Sequence, residues 1–193
     1  MKPIRIATRG SELALIQAHY VAERIQDELK QATELVVITT TGDRIQDRSL
    51  AKIGGKGLFI KEIEQSLLEG LADVAVHSAK DLPAQIAAGL ELSAFPQRED
   101  PRDALVGRET GQTIEGLSRG APVGTGSTRR AAQLLALRPD LEIVPLRGNV
   151  PTRIEKMQTE DLEAVILACA GLDRLGLSDV ISQRIAPEVM LPA

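Results

Sequence analysis

Short apolar runs alternate along this chain with longer stretches whose apolar residues recur every three or four positions. That alternation narrows the fold more than any single motif does. Parallel strands cannot be joined by tight turns and need crossover helices, so strand and helix in turn predict an α/β fold with mixed, mostly parallel sheets flanked by helices. The runs that read as strands are residues 3–8, 35–40, 73–77, 92–95, 122–124, 141–146 and 164–167. A first helix is expected from near Ser11, with Ala14, Ala18, Val21, Ile25 and Leu29 on its buried face. A second is expected over residues 58–69, burying Phe59, Ile63 and Leu67, and others over 128–137, 150–157 and 170–175.

Pro96-Gln97-Arg98-Glu99-Asp100-Pro101-Arg102 combines two prolines with a run of charges, a composition suited to an exposed connection. It divides the chain into a first domain, 1–97, a hinge, 98–102, and a second domain, 103–193. A weak motif recurs on both sides. Ile6-Ala7-Thr8-Arg9-Gly10-Ser11 and Val123-Gly124-Thr125-Gly126-Ser127-Thr128-Arg129-Arg130 each lead from a strand into a helix, as expected of two related halves facing a cleft.

The 193 residues, 43% hydrophobic and 26% charged, suffice for one large core or two small ones. No run of about 20 apolar residues is present, and Met1-Lys2-Pro3-Ile4-Arg5 enters a strand without the pattern of a signal peptide, so a cytoplasmic protein that does not engage the membrane is expected. The single Cys169 and two histidines exclude an internal disulfide and a Cys/His metal cluster, and no metal is expected. A net charge of −4 with no Trp, two Phe and one Tyr leaves neither a basic field nor stacking platforms, which argues against nucleic acid as a partner.

The polar chemistry gathers where strands lead into helices. Arg9 precedes Ser11; Lys52 and Lys56 flank Gly54-Gly55; Arg129 and Arg130 follow Thr125 and Ser127; Arg147-Gly148-Asn149 is followed by Arg153. In open α/β sheets ligands bind beyond the carboxyl ends of the strands. A cation in the first turn of a helix costs about 0.3–1 kcal/mol where an acid would stabilise, so repeated cations there call for a negative ligand, carboxylate or phosphate. The competing reading pairs these cations with neighbouring acids or leaves them in solvent. Nucleotide signatures fail: Gly54-Gly55-Lys56-Gly57 lacks the spacing of a P-loop, and Gly124-Thr125-Gly126 is half a dinucleotide fingerprint. Asp81, beside Lys80 and just after a strand, is placed to stabilise a cation or carry a proton, or is simply a turn aspartate before Pro83.

Six strings, in order, resemble the porphobilinogen deaminase (hydroxymethylbilane synthase) family: Arg5-Ile6-Ala7-Thr8-Arg9-Gly10-Ser11-Glu12-Leu13-Ala14, Gly54-Gly55-Lys56-Gly57-Leu58-Phe59, His77-Ser78-Ala79-Lys80-Asp81-Leu82-Pro83, Arg98-Glu99-Asp100-Pro101-Arg102-Asp103-Ala104, Leu146-Arg147-Gly148-Asn149 and Ala170-Gly171-Leu172. The resemblance implies two domains similar to type-2 periplasmic binding proteins, and a third domain whose cysteine holds a dipyrromethane cofactor by a thioether. It implies a transferase of tetrapyrrole and haem biosynthesis, usually monomeric, that adds four porphobilinogen units head to tail with loss of ammonia. Porphobilinogen and the oligopyrrole intermediates carry acetate and propionate arms, which makes the ligand a polycarboxylate.

By the same resemblance Asp81 is the catalytic aspartate, protonating the leaving amine and stabilising the cationic methylene-pyrrole, with Lys80 beside it. Lys80, Asp81, Thr125, Ser127, Arg129, Arg130, Arg147 and Gly148 are implied cofactor-binding residues. Arg9, Ser11, Lys52, Lys56, Ser78, Arg147, Arg153 and Arg174 are implied substrate-binding residues. The cofactor cysteine and the return segment completing the first domain are expected to be missing, since family members continue beyond the Met190-Leu191-Pro192-Ala193 end; Cys169 reads as a buried structural thiol, and His19 and His77 as packing or hydrogen-bonding residues. No covalently held cofactor and no turnover by this chain alone are therefore expected. A binding module for an acidic small molecule, a phosphate-binding enzyme, or a fragment with an incomplete first sheet are the alternatives.

Overall fold

The computed structural model describes residues 2–44 and 60–193, and the chain divides into two compact units, Met1–Phe95 and Pro96–Ala193. In the first unit, β1 (Ile4–Arg9) lies between β2 (Thr33–Ile38) and β3 (Val74–Ala75), all parallel. Helix α1 (Glu12–Leu29) begins where Ser11 Oγ accepts from the Ala14 amide at 3.4 Å, a side-chain cap that meets one orphan donor of the first turn. Ile6, Ala18 and Ala22 form the core under α1, with Ile25 and Leu35 packed on it. A single turn, α2 (Thr41–Arg44), and α3 (Lys61–Leu68) follow; α3 seals the other face through Ile63, which packs with Ala7 and Ala72. The Arg5 guanidinium forks onto Asp73 at 2.8 and 3.0 Å and holds that exposed carboxyl down to about 2, which fixes register more than stability.

In the second unit β4 (Asp103–Gly107), β5 (Pro122–Gly124), β6 (Glu142–Val144), β7 (Ala164–Ala168) and β8 (Gln183–Arg184) form one sheet in the order β6-β5-β7-β4-β8. β5 is parallel to β6 and β7, whereas β4 runs antiparallel to both β7 and β8. Helices α4 (Thr128–Leu137), α5 (Val150–Thr159) and α6 (Cys169–Arg174) supply the crossovers. Apolar side chains fill both faces: Leu105, Val123, Leu134 and Ile166 in one cluster, Val106, Leu146, Val165 and Leu172 in the other. Cys169 is fully buried in the second cluster, and burial pushes its thiol pKa up.

Several expectations need correction. Residues 92–95 form no strand: no other described segment pairs with them, and Phe95 is 73% exposed. Apolar content cannot make a strand without a partner for its backbone. Leu29 is 65% exposed, and Ala22 takes the buried place on α1. The 18-residue helix rises about 27 Å while a six-residue strand spans about 20 Å, so its last turn overhangs the sheet. β4 and β8 were not anticipated. The unit boundary falls after Phe95, and Asp100 and Arg102, expected in the hinge, are tied into the second unit by an ion-pair network in which Arg184 bridges Asp100 at 2.9 Å and Asp173 at 2.6 Å. His19 is exposed on α1. Leu58 and Phe59 lie outside the described residues.

Candidate functional site

In the first unit the chain passes from central β1 to β2 on one side and β3 on the other, so its topological switch point lies beside β1. Arg9 ends β1, Ser11 caps α1, and the segment after β3 carries His77, Ser78 and a 3-10 turn, Ala79–Asp81. These predicted residues therefore share the carboxyl end of one sheet. The turn is closed by the Asp81 amide on the Ser78 carbonyl at 2.9 Å, and Lys80 and Asp81 stand exposed on it. Ser78 Oγ donates to Gln17 Oε1 at 3.0 Å, and Gln17 Nε2 donates to the Leu13 carbonyl of α1 at 3.2 Å. Gln17 thus anchors the turn that presents Asp81. Sequence reading missed it, because a glutamine on a helix face gives no local sign of a partner 61 positions away. Lys52 and Lys56 lie outside the described residues.

His77 is partly buried, and burial lowers its pKa; Asp81 and Glu64 pull the other way, and Arg9 adds to the lowering. A base whose folded pKa lies below its unfolded value stabilises the fold fully above the unfolded value, near 6.5, and that contribution fades as pH falls through the folded one. Urea unfolding of the first unit is thus expected to shift to lower midpoint between pH 7.5 and 5.5. The shift should shrink in His77→Asn, and an equal shift in both proteins would assign it to other groups.

In the second unit the order β6-β5-β7 places another switch point beside β5. Thr125 is buried and its Oγ1 accepts from the Ser127 amide at 3.2 Å; Ser127 Oγ in turn caps α4 by accepting from the Arg130 amide at 3.4 Å. Asn149 Oδ1 caps α5 at the Thr152 amide, and neither helix has an acid in its first turn. Two helix N-termini free of acids, with arginines beside them, favour an anion. Gly126 runs so close beneath the β6 loop that an added Cβ would lie 2.6 Å from the Leu146 carbonyl oxygen. Backbone cannot rotate aside, so Gly126→Ala is expected to cost about 1–3 kcal/mol, read as a lowered melting temperature of the second unit; an unchanged one would contradict the close approach.

The arginines differ in what they do. Arg130 is 7% exposed; its Nε and Nη2 reach Asp103 Oδ1 at 3.0 and 2.6 Å and its Nη1 the Ile166 carbonyl at 3.0 Å. Arg129 shares Asp103 through Nη2 at 2.8 Å, donates to the Leu191 carbonyl, and keeps 29% of its side chain exposed. Arg153 Nε donates to the Gly148 carbonyl at 2.7 Å, holding the loop where Gly148 takes φ +119°. Arg174 closes α6, which follows β7 directly. Arg147 stands apart: its Nη1 is buried and meets no hydrogen-bond acceptor among the described residues. A buried guanidinium nitrogen without a partner is costly, and a ligand carboxylate at this loop would satisfy it. On that observation the residues of the second unit fit a polycarboxylate such as dipyrromethane. A groove of ≈ 490 Å³ lined by Val106, Arg108, Ile154, Met157 and Asp179 lies instead at the amino end of β7 and includes none of the predicted site residues.

Two solved structures share this architecture. An ABC-transporter periplasmic substrate-binding protein from Coxiella burnetii is 12% identical, with TM-score 0.51 over 95% of this chain and 80% of that one. The Bordetella pertussis BvgS VFT2 domain is 15% identical, with TM-score 0.52 over 98% of this chain and 76% of that one. At such identities the likeness shows the fold alone, and it defines a protein of the periplasmic-binding-protein-like α/β class. Residues 4–193 match the family described as porphobilinogen deaminase, dipyromethane cofactor binding domain, and the chain belongs to that family. Curated relatives named porphobilinogen deaminase include those of Syntrophus aciditrophicus, 52% identical over 98% of this chain and 62% of the relative, and Alkaliphilus metalliredigens, 50% identical over 100% and 61%. A third, from Syntrophomonas wolfei, is 50% identical over 100% of this chain and 63% of the relative. The chain thus spans 61–63% of the length of these relatives. No described helix is long and apolar enough to cross a membrane, and no group of metal-ligating residues occurs among the described residues.

Proposed function

We propose that this chain supplies the carboxylate-binding and proton-transfer groups of a porphobilinogen deaminase, a transferase that joins four porphobilinogen units into hydroxymethylbilane with loss of ammonia. The observation that carries this reading is the buried Nη1 of Arg147, which has no hydrogen-bond partner among the described residues, at the carboxyl end of the second sheet. Arg147, Arg129 and the amino end of α4 hold acetate and propionate arms, while Arg153 keeps the Gly148 loop in shape. When bound, dipyrromethane supplies the pyrrole carbon to which the next unit is joined. In the first unit Asp81 delivers a proton to the leaving amine nitrogen, and its carboxylate then faces the positive charge left on the substrate; Lys80, Arg9, Ser11 and Ser78 bind the substrate's acid groups. Arg174 serves the same role from α6. The protein works in the cytoplasm, as a monomer.

Cys169 is unsuited to hold a thioether. It is fully buried and its thiol pKa is raised, so both access and thiolate are lacking. The chain alone is therefore expected to bind porphobilinogen without turning it over. Calorimetry with porphobilinogen, intact mass under denaturing conditions and ammonia release test this together. Binding that weakens at least tenfold in Arg147→Ala, with unshifted mass and no ammonia, is the expected result. No binding would overturn the carboxylate reading; a mass raised by a dipyrrole, with ammonia released, would overturn the division between this chain and its anchor.

A further inference from the structure

Asp103 has no part in the chemistry above, yet it is the acid most enclosed by that end of the second unit. It is 2% exposed, and its two oxygens accept three hydrogen bonds from two arginines: Oδ1 from Arg130 Nε and Nη2, Oδ2 from Arg129 Nη2. The register explains its place. β4 is antiparallel to β7 and pairs Asp103 with Ala168, so the first residue of β4 stands at the carboxyl end of β7, where Arg129 in the first turn of α4 reaches it.

We propose that Asp103 is a positioning residue that acts through Arg129. The proposal rests on the carboxylate-binding reading of the second unit. One carboxylate between two guanidiniums leaves one net positive charge. Arg130 is buried, with Asp103 and the Ile166 carbonyl as partners, and so serves as internal counter-ion; Arg129, partly exposed, carries the charge a ligand meets. Arginine is a long, rotamer-rich side chain. Held at one nitrogen by Asp103 and at another by the Leu191 carbonyl, Arg129 offers its fork already ordered, and a ligand carboxylate need not bear that ordering cost.

The test is a double-mutant cycle on this chain, reading porphobilinogen affinity by calorimetry and unfolding by melting temperature. Asp103→Asn is expected to weaken binding about tenfold, and to have no further effect on binding in an Arg129→Ala background while still lowering the melting temperature there. Equal weakening in both backgrounds would overturn the proposal, since Asp103 would then act through some other group. An Asn at this position leaves the buried Arg130 charge without its counter-ion, so Arg129→Lys carries the test should Asp103→Asn fail to fold. It keeps the charge but loses the two-point hold, and is expected to bind about tenfold more weakly; wild-type affinity would overturn the proposal. An unaltered chain that does not bind porphobilinogen overturns the proposed function itself, and the positioning role with it.

Discussion

Asp81→Asn, introduced into a full-length protein carrying this segment, is expected to lower kcat by roughly two to four orders of magnitude, the usual contribution of a positioned general acid, with little change in ligand affinity. The local structure makes that separation clean. Asp81 is an exposed side chain on a 3-10 turn that is closed by its own amide and anchored through Ser78 to Gln17, and among the described residues its carboxylate accepts no hydrogen bond and joins no ion pair. A surface change of this kind costs within about 0.5 kcal/mol, and the melting temperature should hold. Steady-state kinetics with a parallel binding measurement decides the matter: unaltered turnover would remove Asp81 from the chemistry and leave it a turn residue before Pro83.

Arg130→Ala is expected to produce the largest loss of stability, about 3–5 kcal/mol in urea unfolding of the second unit. Removing one partner of a buried pair strands the other charge, and Asp103 sits 2% exposed with only the shared contact to Arg129 left. Arg129→Ala should cost much less, about 1 kcal/mol, because that side chain is partly solvated and Asp103 keeps Arg130. The two neighbours in sequence are thus expected to separate, Arg130 in its effect on stability and Arg129 in its effect on binding. Small destabilisation with complete loss of binding in Arg130→Ala would reverse the assignment.

The family resemblance grouped Arg129 and Arg130 as equivalent cofactor ligands, and the alternative of pairing with acids was open from the start. Both pair with an aspartate, 26 and 27 positions upstream, at the head of a strand that the apolar pattern does not reveal. β4 is five residues long and begins with a charge, straight after a charged connection, so periodicity has almost nothing to register. Where local signals suffice the reading holds: a helix starts just after Ser11, and residues 122–124 and 128–137 are β5 and α4. It breaks where partners are distant. Residues 92–95 have strand composition but no neighbouring backbone, and Gln17 and Asp103 acquire their meaning only from residues far along the chain. The Arg147 loop was legible as cationic; that one of its nitrogens is buried without an acceptor among the described residues was not, since burial is a property of the packed loop.

The direction of β4 also sets a schedule for synthesis. Both of its neighbours, β7 and β8, come later in the chain, and β7 lies about 60 residues on. As the chain leaves the ribosome, Ala104, Leu105 and Val106 have no strand to pair with until residues 164–168 emerge, although β5 and β6 can already meet. Because long-range pairing must wait for its loop to close, the second unit matures late and all at once. Arg129 and Arg130 gain the carboxylate they share only once β4 is held against β7, so the loops after β5 and β6 exist in the nascent chain before the acid that orders these two side chains is fixed beside them.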